Sequence, residues 1–408
     1  MAATGGGLAG VLVLLWRDPV LRMATGLMIL NGTLWASFGP FVALLAVQTF
    51  GLGDQGYAVV TAVATLAGVV ASVWIGIRAD QRASRRRMAI GTCTLALAGL
   101  ALMTLAPASW SFALFHALLF PVATTIFGQV FTLIRLAAAR YDEHDRRVIV
   151  ATVRAAVSMP FVVILPLWSM ALERGVTLVA IYPVAMVFAA LMLFMVHRHW
   201  PRDDGARWAD RPSGLSLRAA LRELADTGLA LRLGALGAIA SMPALYVMTM
   251  ALILTQVGGR PDSHPGLFFG LVAGAEVPSM VLASLIGRRV ARLPLIVAAA
   301  ALSAAFLTGL PLLAGSAWVW VLVLPLALSH GVLLTVPITY LQDLLAERPG
   351  TGTSLLALQG LIGNTLAAMA FALGAWAWGY EAVTVLGAAM GLAGAGVLWV
   401  LDRAPARP

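Results

Sequence analysis

Twelve long apolar runs constrain this chain more than any other feature of its sequence. A run of about 20 apolar residues is long enough to cross the hydrocarbon core of a bilayer as a helix. Because backbone groups in lipid must satisfy their own hydrogen bonds, each run is predicted to be helical. The runs lie at residues 21–47, 56–77, 87–106, 111–137, 149–171, 175–196, 231–257, 266–287, 293–314, 317–341, 352–376 and 381–401. The predicted fold class is an all-α polytopic membrane protein.

The composition excludes most other classes. Of the 408 residues 61% are hydrophobic and 11% are charged, whereas a soluble domain carries about 25% charged residues. A single cysteine, Cys93, cannot form an internal disulfide, and we expect no metal and no cofactor. The net charge of +9 comes from arginines at the ends of the runs. Membrane lipids explain that placement better than a nucleic acid does, so no nucleic-acid partner is expected.

The distribution of arginines predicts the orientation. With the N-terminus inside, the cytoplasmic segments collect nearly all of them, and the opposite face keeps only Arg174 and Arg260. Both termini are therefore predicted to be cytoplasmic. The apolar stretch 7–16 is too short to span a bilayer, so we interpret residues 1–20 as an N-terminal interfacial segment rather than a cleaved signal peptide.

The two halves of the chain resemble each other at nearly constant register. Residues 45–48 (LAVQ) match 253–256 (ILTQ), residues 75–76 match 286–287 (both IG), and 135–140 (RLAAAR) parallel 343–348 (DLLAER). The offsets predict an N-terminal six-helix bundle at 21–197, a cytoplasmic linker at 198–230, a C-terminal six-helix bundle at 231–401 and a cytoplasmic tail at 402–408. Two such parallel repeats favour bundles that rock about a substrate site at mid-membrane.

The loop at 76–87 (GIRADQRASRRR) is similar to the signature loop of the major facilitator superfamily, Gly-x-x-x-Asp-Arg-x-Gly-Arg-Arg. The pattern indicates a short turn closed by Gly76, although Gln81 replaces the usual arginine. The resemblance implies gating roles for Asp80, Arg82 and Arg86, with Asp80 facing the start of the eleventh helix, where the helix dipole stabilises an acid. The alternative is a solvated basic turn.

Further segments resemble the sugar efflux transporter family. They are 129–135 (QVFTLIR), which contains Gln129, 154–158 (RAAVS), 165–167 (LPL), 274–280 (GAEVPSM) and 341–344 (LQDL). The resemblance implies export of small sugars or glycosides, driven by proton antiport. The alternatives are a multidrug antiporter and a siderophore or metabolite antiporter of the same superfamily. The alternative of another class is a membrane-embedded enzyme or a non-transporting sensor of the same fold. No catalytic pair and no Gly-Lys-Ser/Thr motif for ATP is found, so we do not expect an enzyme.

Glu276 is the most informative single residue. It lies twelve residues before Arg288, which places it about 18 Å from the cytoplasmic edge. A charge at that depth costs roughly 2.5–3.5 kcal/mol, so Glu276 is a candidate proton carrier, substrate ligand or partner of an arginine. A protonated structural acid is the alternative. Arg154 is the hypothetical partner across the two bundles, although it could instead extend to the cytoplasmic interface.

Other polar residues complete the predicted site. Arg135 and Asp343 end the fourth and tenth helices with opposite charges, which suits an inner-gate salt bridge or ordinary interfacial charge. Asn31 and Trp35 share one helix face, where an amide and an indole suit a sugar. Further substrate-binding candidates, each equally explicable by helix–helix contacts, are Gln129, Tyr246, His330, Gln359 and Asn364.

The interpretation of the whole sequence is a twelve-helix transporter of the major facilitator fold. The resemblance implies a monomeric antiporter for a small sugar and protons, in the cytoplasmic (inner) membrane of a bacterium. An all-arginine set of basic residues, with abundant Ala, Gly and Val, is typical of a GC-rich bacterial genome.

Overall fold

A computed structural model describes residues 8–82, 85–202, 227–287, 289–344 and 351–403. These residues form helices and connecting turns, with no strand among them. Eleven helices are long and apolar enough to span a membrane, and the bent pair Pro19–Phe38 and Val42–Thr49, with an angle of 47°, makes a twelfth. The predicted all-α polytopic architecture is confirmed.

The first half of the chain contains a short surface helix and six spans. The ten-residue α1 is too short to cross a bilayer, and α2 with α3 forms the bent first span. The helices are α1 (Leu8–Arg17), α2 (Pro19–Phe38), α3 (Val42–Leu44), α4 (Gly53–Arg82), α5 (Arg85–Leu105), α6 (Ser109–Leu114), α7 (Phe120–Ala123), α8 (Ile126–Ala138), α9 (Glu143–Ala156), α10 (Met159–Glu173) and α11 (Ile181–His199).

The second half repeats this arrangement. The linker predicted at 198–230 lies mostly outside the described residues. The helices are α12 (Thr227–Leu252), α13 (Ser263–Ile286), α14 (Arg292–Leu313), α15 (Val323–Leu333), α16 (Val336–Leu344), α17 (Thr351–Trp378) and α18 (Tyr380–Arg403).

Irregular turns recur at matched positions in the two halves, in agreement with the predicted repeat. A π-helical turn begins at Leu45 after α3 and another begins at Ile253 after α12, 208 residues later. The fourth span breaks after Ala123 and the tenth breaks after Leu333, 210 residues later. Such irregular turns inside spans are enriched at functional sites, and here they interrupt corresponding helices.

The chain divides into two compact units. Unit 1 comprises residues 1–38, 67–165 and 176–213, and unit 2 comprises 39–66, 166–175 and 214–408. Unit 2 therefore takes one end of three N-terminal spans, at residues 39–66 and 166–175, together with the C-terminal half. The bundle boundaries predicted from the repeat rest on sequence register rather than on compactness, and they stay a prediction.

Small residues explain how the last helix packs in unit 2. A Cβ atom on Gly394 of α18 would lie 2.6 Å from the backbone oxygen of Ala235, and one on Gly391 would lie 2.3 Å from the sulfur of Met242. Only glycine permits this closeness to α12, as is common where helices pack within membranes.

One local expectation is wrong. The signature loop was expected to turn at Gly76, but α4 continues as regular helix through Arg82. A helix interior tolerates one glycine at a cost of only about 1 kcal/mol, so Gly76 does not stop the helix.

Candidate functional site

An acid–imidazole pair lies in the middle of unit 2. Glu276 of α13 and His330 of α15 are joined by a hydrogen bond of 2.6 Å between Oε1 and Nδ1. The His330 side chain is 9% exposed and the Glu276 side chain is 21% exposed. The acid at mid-span thus has a polar partner inside its own unit, which lowers the cost of placing it there. We call this pair the Glu276–His330 dyad.

A tyrosine on α12 packs beside the dyad. The ring centroids of Tyr246 and His330 are 5.6 Å apart, in an edge-to-face arrangement. The ring of Phe306 also meets Tyr246 edge-on at 5.5 Å, while Phe269 stacks on it at 4.8 Å with an interplanar angle of 25°. Tyr246 is therefore fixed on three sides by rings from three other helices.

Two buried polar atoms of this group lack partners within the described part of the chain. They are the Nε2 atom of His330 and the hydroxyl of Tyr246. A buried polar group without a hydrogen bond costs about 1–3 kcal/mol, so both atoms gain from a partner that brings its own donors and acceptors. A hydroxyl-bearing ligand or a bound water meets that need.

The other two C-terminal candidates lie elsewhere. Gln359 is buried and its Oε1 atom has no partner among the described residues. Its backbone oxygen lies 3.6 Å from the Cβ position of Gly237, nine residues before Tyr246 and hence about 13 Å away along α12. Gln359 therefore belongs to a different layer from the dyad, and the side chain of Asn364 is exposed.

Unit 1 holds the N-terminal candidates. Asn31 is 4% exposed and lines a small, largely apolar cavity together with Cys93 and Thr124. Trp35 is 42% exposed, and its ring lies 5.6 Å from that of Phe120. The helix face predicted to carry Asn31 and Trp35 thus has one buried amide and one indole that is partly exposed.

Gln129 also lies in unit 1. Its Nε2 atom donates to the hydroxyl of Thr92 at 3.4 Å. Its Oε1 atom is buried and without a partner in the described residues. One end of this amide is therefore held by the third span, and the other end can accept a hydrogen bond.

The predicted charge pairs join residues of different units, and they stay predictions. Arg154 is exposed at the C-terminal end of α9, and Arg135 is exposed near the end of α8. Asp343 lies in α16, but its side chain is outside the described residues.

The signature-loop residues are only partly described. Asp80 and Arg82 lie in the last turn of α4, and their side chains are also outside the described part. The guanidinium of Arg86 donates to the backbone oxygen of His197 at 2.6 Å.

Contacts that join early and late segments inside unit 2 were missed by the sequence analysis. At the arginine-poor ends of the spans, the hydroxyl of Tyr380 donates to Asp54 at 2.7 Å, and the amide of Gln55 donates to the backbone oxygen of Ala372 at 2.9 Å. The hydroxyl of Ser169 donates to the backbone oxygen of Ser263 at 2.8 Å. We call these contacts the outer latch, because the arginine-poor ends are predicted to face outside.

Two further aromatic and polar contacts accompany the outer latch. The rings of Tyr57 and Phe371 meet edge-on at 5.4 Å, and Gln48 donates to Thr255 at 3.3 Å. Gln48 and Thr255 lie in the two matched π-helical turns. Both residues lie in the segments that revealed the repeat, but the repeat does not indicate that the two segments touch.

Two aspartates at the arginine-rich ends, Asp18, which is buried, and Asp402, which is partly buried, were also missed. In unit 1, Asp18 accepts hydrogen bonds from the first turn of α2 and from the hydroxyl of Tyr141, and it pairs with Arg140. The contacts with Tyr141 and Arg140 connect the start of the first span to the end of the fourth. The contacts with α2 stabilise the first turn of that helix.

In unit 2, Asp402 accepts from Arg232 Nε at 2.8 Å and from the hydroxyl of Tyr340 at 2.7 Å. This group connects the seventh, tenth and twelfth spans. Each unit therefore has one Asp–Arg–Tyr cluster that fixes the end of its broken span.

A polytopic helical protein with a repeated six-span half and a polar dyad at mid-span is, by architecture, a membrane transporter. A model of the Major Facilitator Superfamily matches residues 25–368. The chain belongs to the Major Facilitator Superfamily, and it is accordingly a transporter rather than an enzyme.

Curated relatives include proteins named sugar efflux transporter. Sugar efflux transporter A of Escherichia coli is 27% identical over 326 residues, which are 78% of this chain and 80% of that protein. Sugar efflux transporter A of Dickeya chrysanthemi is 28% identical over 338 residues, 81% and 83% of the two chains. The resemblance to this family drawn from the sequence segments is confirmed at this modest identity.

Solved structures share the fold. The nucleoside transporter NupG superposes with a TM-score of 0.78 at 13% identity, covering 94% of this chain and 99% of that chain. The peptide transporter POT gives a TM-score of 0.74 at 12% identity, with 94% and 93% covered. A bacterial homologue of the human lysosomal transporter Spinster gives 0.68 at 17% identity, with 95% and 97% covered.

Proposed function

We propose that this protein exports small sugars or glycosides from a bacterial cell in exchange for protons. The observation that carries the proposal is the Glu276–His330 dyad, a titratable pair at mid-span beside hydrogen-bonding atoms that await a partner. Similarity to sugar efflux transporters supports the choice of substrate.

The chemistry of the dyad explains how a proton could be coupled to a substrate. With one shared proton, His330 donates from Nδ1 to the Glu276 carboxylate, so Nε2 is left as an acceptor. A second proton makes Nε2 a donor in either of two arrangements. Either the imidazole holds both protons and is positively charged, or the carboxyl group holds one proton and the neutral imidazole holds the other at Nε2. Protonation thus reverses the hydrogen-bonding character that His330 presents to a substrate hydroxyl.

The outer latch provides the matching conformational step. Release to the outside requires the contacts of Asp54 with Tyr380 and of Gln55 with Ala372 to open, and resetting requires them to form again. The polar contacts are neutral or singly charged hydrogen bonds, each worth about 1–3 kcal/mol, which suits a gate that must open repeatedly. Arg154 and the Arg135–Asp343 pair are proposed to act at the coupling step and the inner gate.

The proposed setting is the bacterial cytoplasmic membrane, with both termini in the cytoplasm and a monomer as the working unit. The arginine asymmetry supports this orientation.

A drug/proton antiporter is the second candidate function. The stacked rings of Tyr246 and Phe269 favour it, because aromatic pairs also bind flat, lipophilic compounds. The dyad's unpartnered polar atoms favour the sugar, since a lipophilic cation leaves them unsatisfied.

Transport in inverted membrane vesicles tests the proposal. An imposed pH gradient should drive accumulation of a labelled glucoside or lactoside, and a lipophilic dye should not compete. Accumulation of the dye alone supports the drug antiporter, and glucoside movement that ignores the pH gradient contradicts proton coupling.

A further inference from the structure

Phe269 has a place in the dyad region that no sequence feature indicated. It lies on α13 seven residues before Glu276, and residues seven apart share a helix face about 10 Å apart along the axis. A face that carries a mid-span acid does not suit lipid. The ring of Phe269 therefore lies on the side of α13 that bears the polar site.

The ring of Phe269 is stacked against Tyr246 and is only partly buried. Tyr246 stacks on it at 4.8 Å and is itself 2% exposed. The neighbouring rings of Phe268 and Phe306 are fully buried, whereas Phe269 is only partly buried. Of these three described phenylalanines, only Phe269 keeps part of its side chain exposed.

We infer that Phe269 is a specificity-determining residue that stacks on the C–H face of a pyranose ring. The inference rests on the proposed function and names its substrate class as pyranoses and pyranosides. An aromatic ring has a negative face, which attracts the weakly positive C–H groups that a chair-form sugar aligns on one side. The sugar hydroxyls then reach the Nε2 atom of His330 and the hydroxyl of Tyr246.

This arrangement selects a closed ring over an open chain. A pyranose presents a rigid set of C–H groups, whereas a linear polyol must lose conformational freedom to do so. Hydrogen bonds to the dyad and Tyr246 alone would not distinguish the pyranose from the linear polyol. Phe269 therefore adds a discrimination that the dyad itself lacks.

The experiment measures equilibrium binding of methyl β-D-glucopyranoside and of sorbitol to the purified full chain. Phe269→Leu should raise the Kd for the pyranoside about three- to tenfold, and Phe269→Trp should leave it within about twofold. The matched control is Phe194→Leu, which changes a phenylalanine of α11 that is 60% exposed and should leave binding unchanged. The wild type should bind sorbitol more weakly than the pyranoside.

A second variant covers the case in which Phe269→Leu fails to fold. Replacement of Phe269 by pentafluorophenylalanine keeps the shape of the ring but inverts the sign of its face, and it should also weaken pyranoside binding. Unchanged pyranoside binding in either folded variant overturns the stacking role. If the wild type binds no pyranoside at all, the proposed function fails instead.

Discussion

The Nδ1 atom of His330 lies 2.6 Å from the Oε1 atom of Glu276. This distance is typical of a strong, charge-assisted hydrogen bond. The bond joins one side chain of the tenth span and one of the eighth in a single hydrogen-bonded pair.

The first prediction concerns the acid of the dyad. Glu276→Gln should abolish glucoside accumulation driven by a pH gradient, because an amide cannot carry the proton. Exchange of labelled for unlabelled glucoside at equal pH should persist, since it needs no net proton movement. Both are measured in the same inverted vesicles.

The control for this variant is Glu173→Gln, which changes an exposed glutamate at the end of α10 and should leave accumulation intact. If the Glu276→Gln variant still accumulates glucoside under a pH gradient, the dyad does not couple proton movement to transport.

The second prediction separates the two nitrogens of His330. The amide of His330→Asn can replace the Nδ1 donor to Glu276 but cannot reach the position of Nε2, so glucoside affinity should fall about tenfold. His330→Gln can occupy the Nε2 position and should bind more tightly than His330→Asn.

Glucoside Kd values, measured at one pH for the wild type and the two variants, check this order. Equal affinities for the Asn and Gln variants would mean that Nε2 does not meet the substrate.

The spans and the repeat could be predicted from the sequence. The spans follow from long apolar runs, and the repeat follows from matched segments at a nearly constant offset. The matched π-helical turns at Leu45–Thr49 and Ile253–Val257 fall on the segments that revealed the repeat. The depth of Glu276 could also be counted from the nearby arginines.

The neighbours of these residues could not be predicted in the same way. His330 and Tyr246 were candidates, but their contact with each other and with Glu276 depends on how three helices rotate about their axes, which one sequence does not specify. Asp18 and Asp402 were overlooked because an aspartate at the end of a span is usually solvated, whereas both are bound by arginine and tyrosine here.

The third prediction concerns the stability of unit 2. Asp402→Ala leaves Arg232 and the hydroxyl of Tyr340 without their acceptor, and it should destabilise the protein by about 2 kcal/mol. Tyr340→Phe removes one hydrogen bond and should cost about 1 kcal/mol. Melting temperatures of the detergent-purified proteins should therefore fall in the order wild type, Tyr340→Phe, Asp402→Ala.

The comparison variant is Glu381→Gln, at an exposed position on the same helix α18. Its melting temperature should equal that of the wild type. A melting temperature for Asp402→Ala equal to that of the wild type would show that the cluster contributes nothing to stability.

The fourth prediction concerns orientation. A green fluorescent protein joined after the last residue should fluoresce, and alkaline phosphatase at the same place should be inactive, because the arginine-rich ends are expected in the cytoplasm. Insertion of the same reporters beside Arg260, one of two arginines predicted outside, should give the opposite pattern. Active phosphatase at the C-terminus would reverse the predicted topology.

The last prediction concerns the outer latch. Tyr380→Phe removes the 2.7 Å hydrogen bond to Asp54, and a loss of about 1 kcal/mol shifts an opening equilibrium roughly fivefold. The buried Ser263, 2% exposed, reports that opening when it is changed to cysteine in a Cys93→Ser background, which is otherwise free of thiols. An impermeant maleimide should then label Ser263→Cys several times faster with Tyr380→Phe than without it. Tyr141→Phe, which removes a tyrosine hydrogen bond to Asp18 in unit 1, should leave the labelling rate unchanged. If both tyrosine variants speed labelling alike, the effect is general loosening, and the Asp54–Tyr380 contact is not a gate.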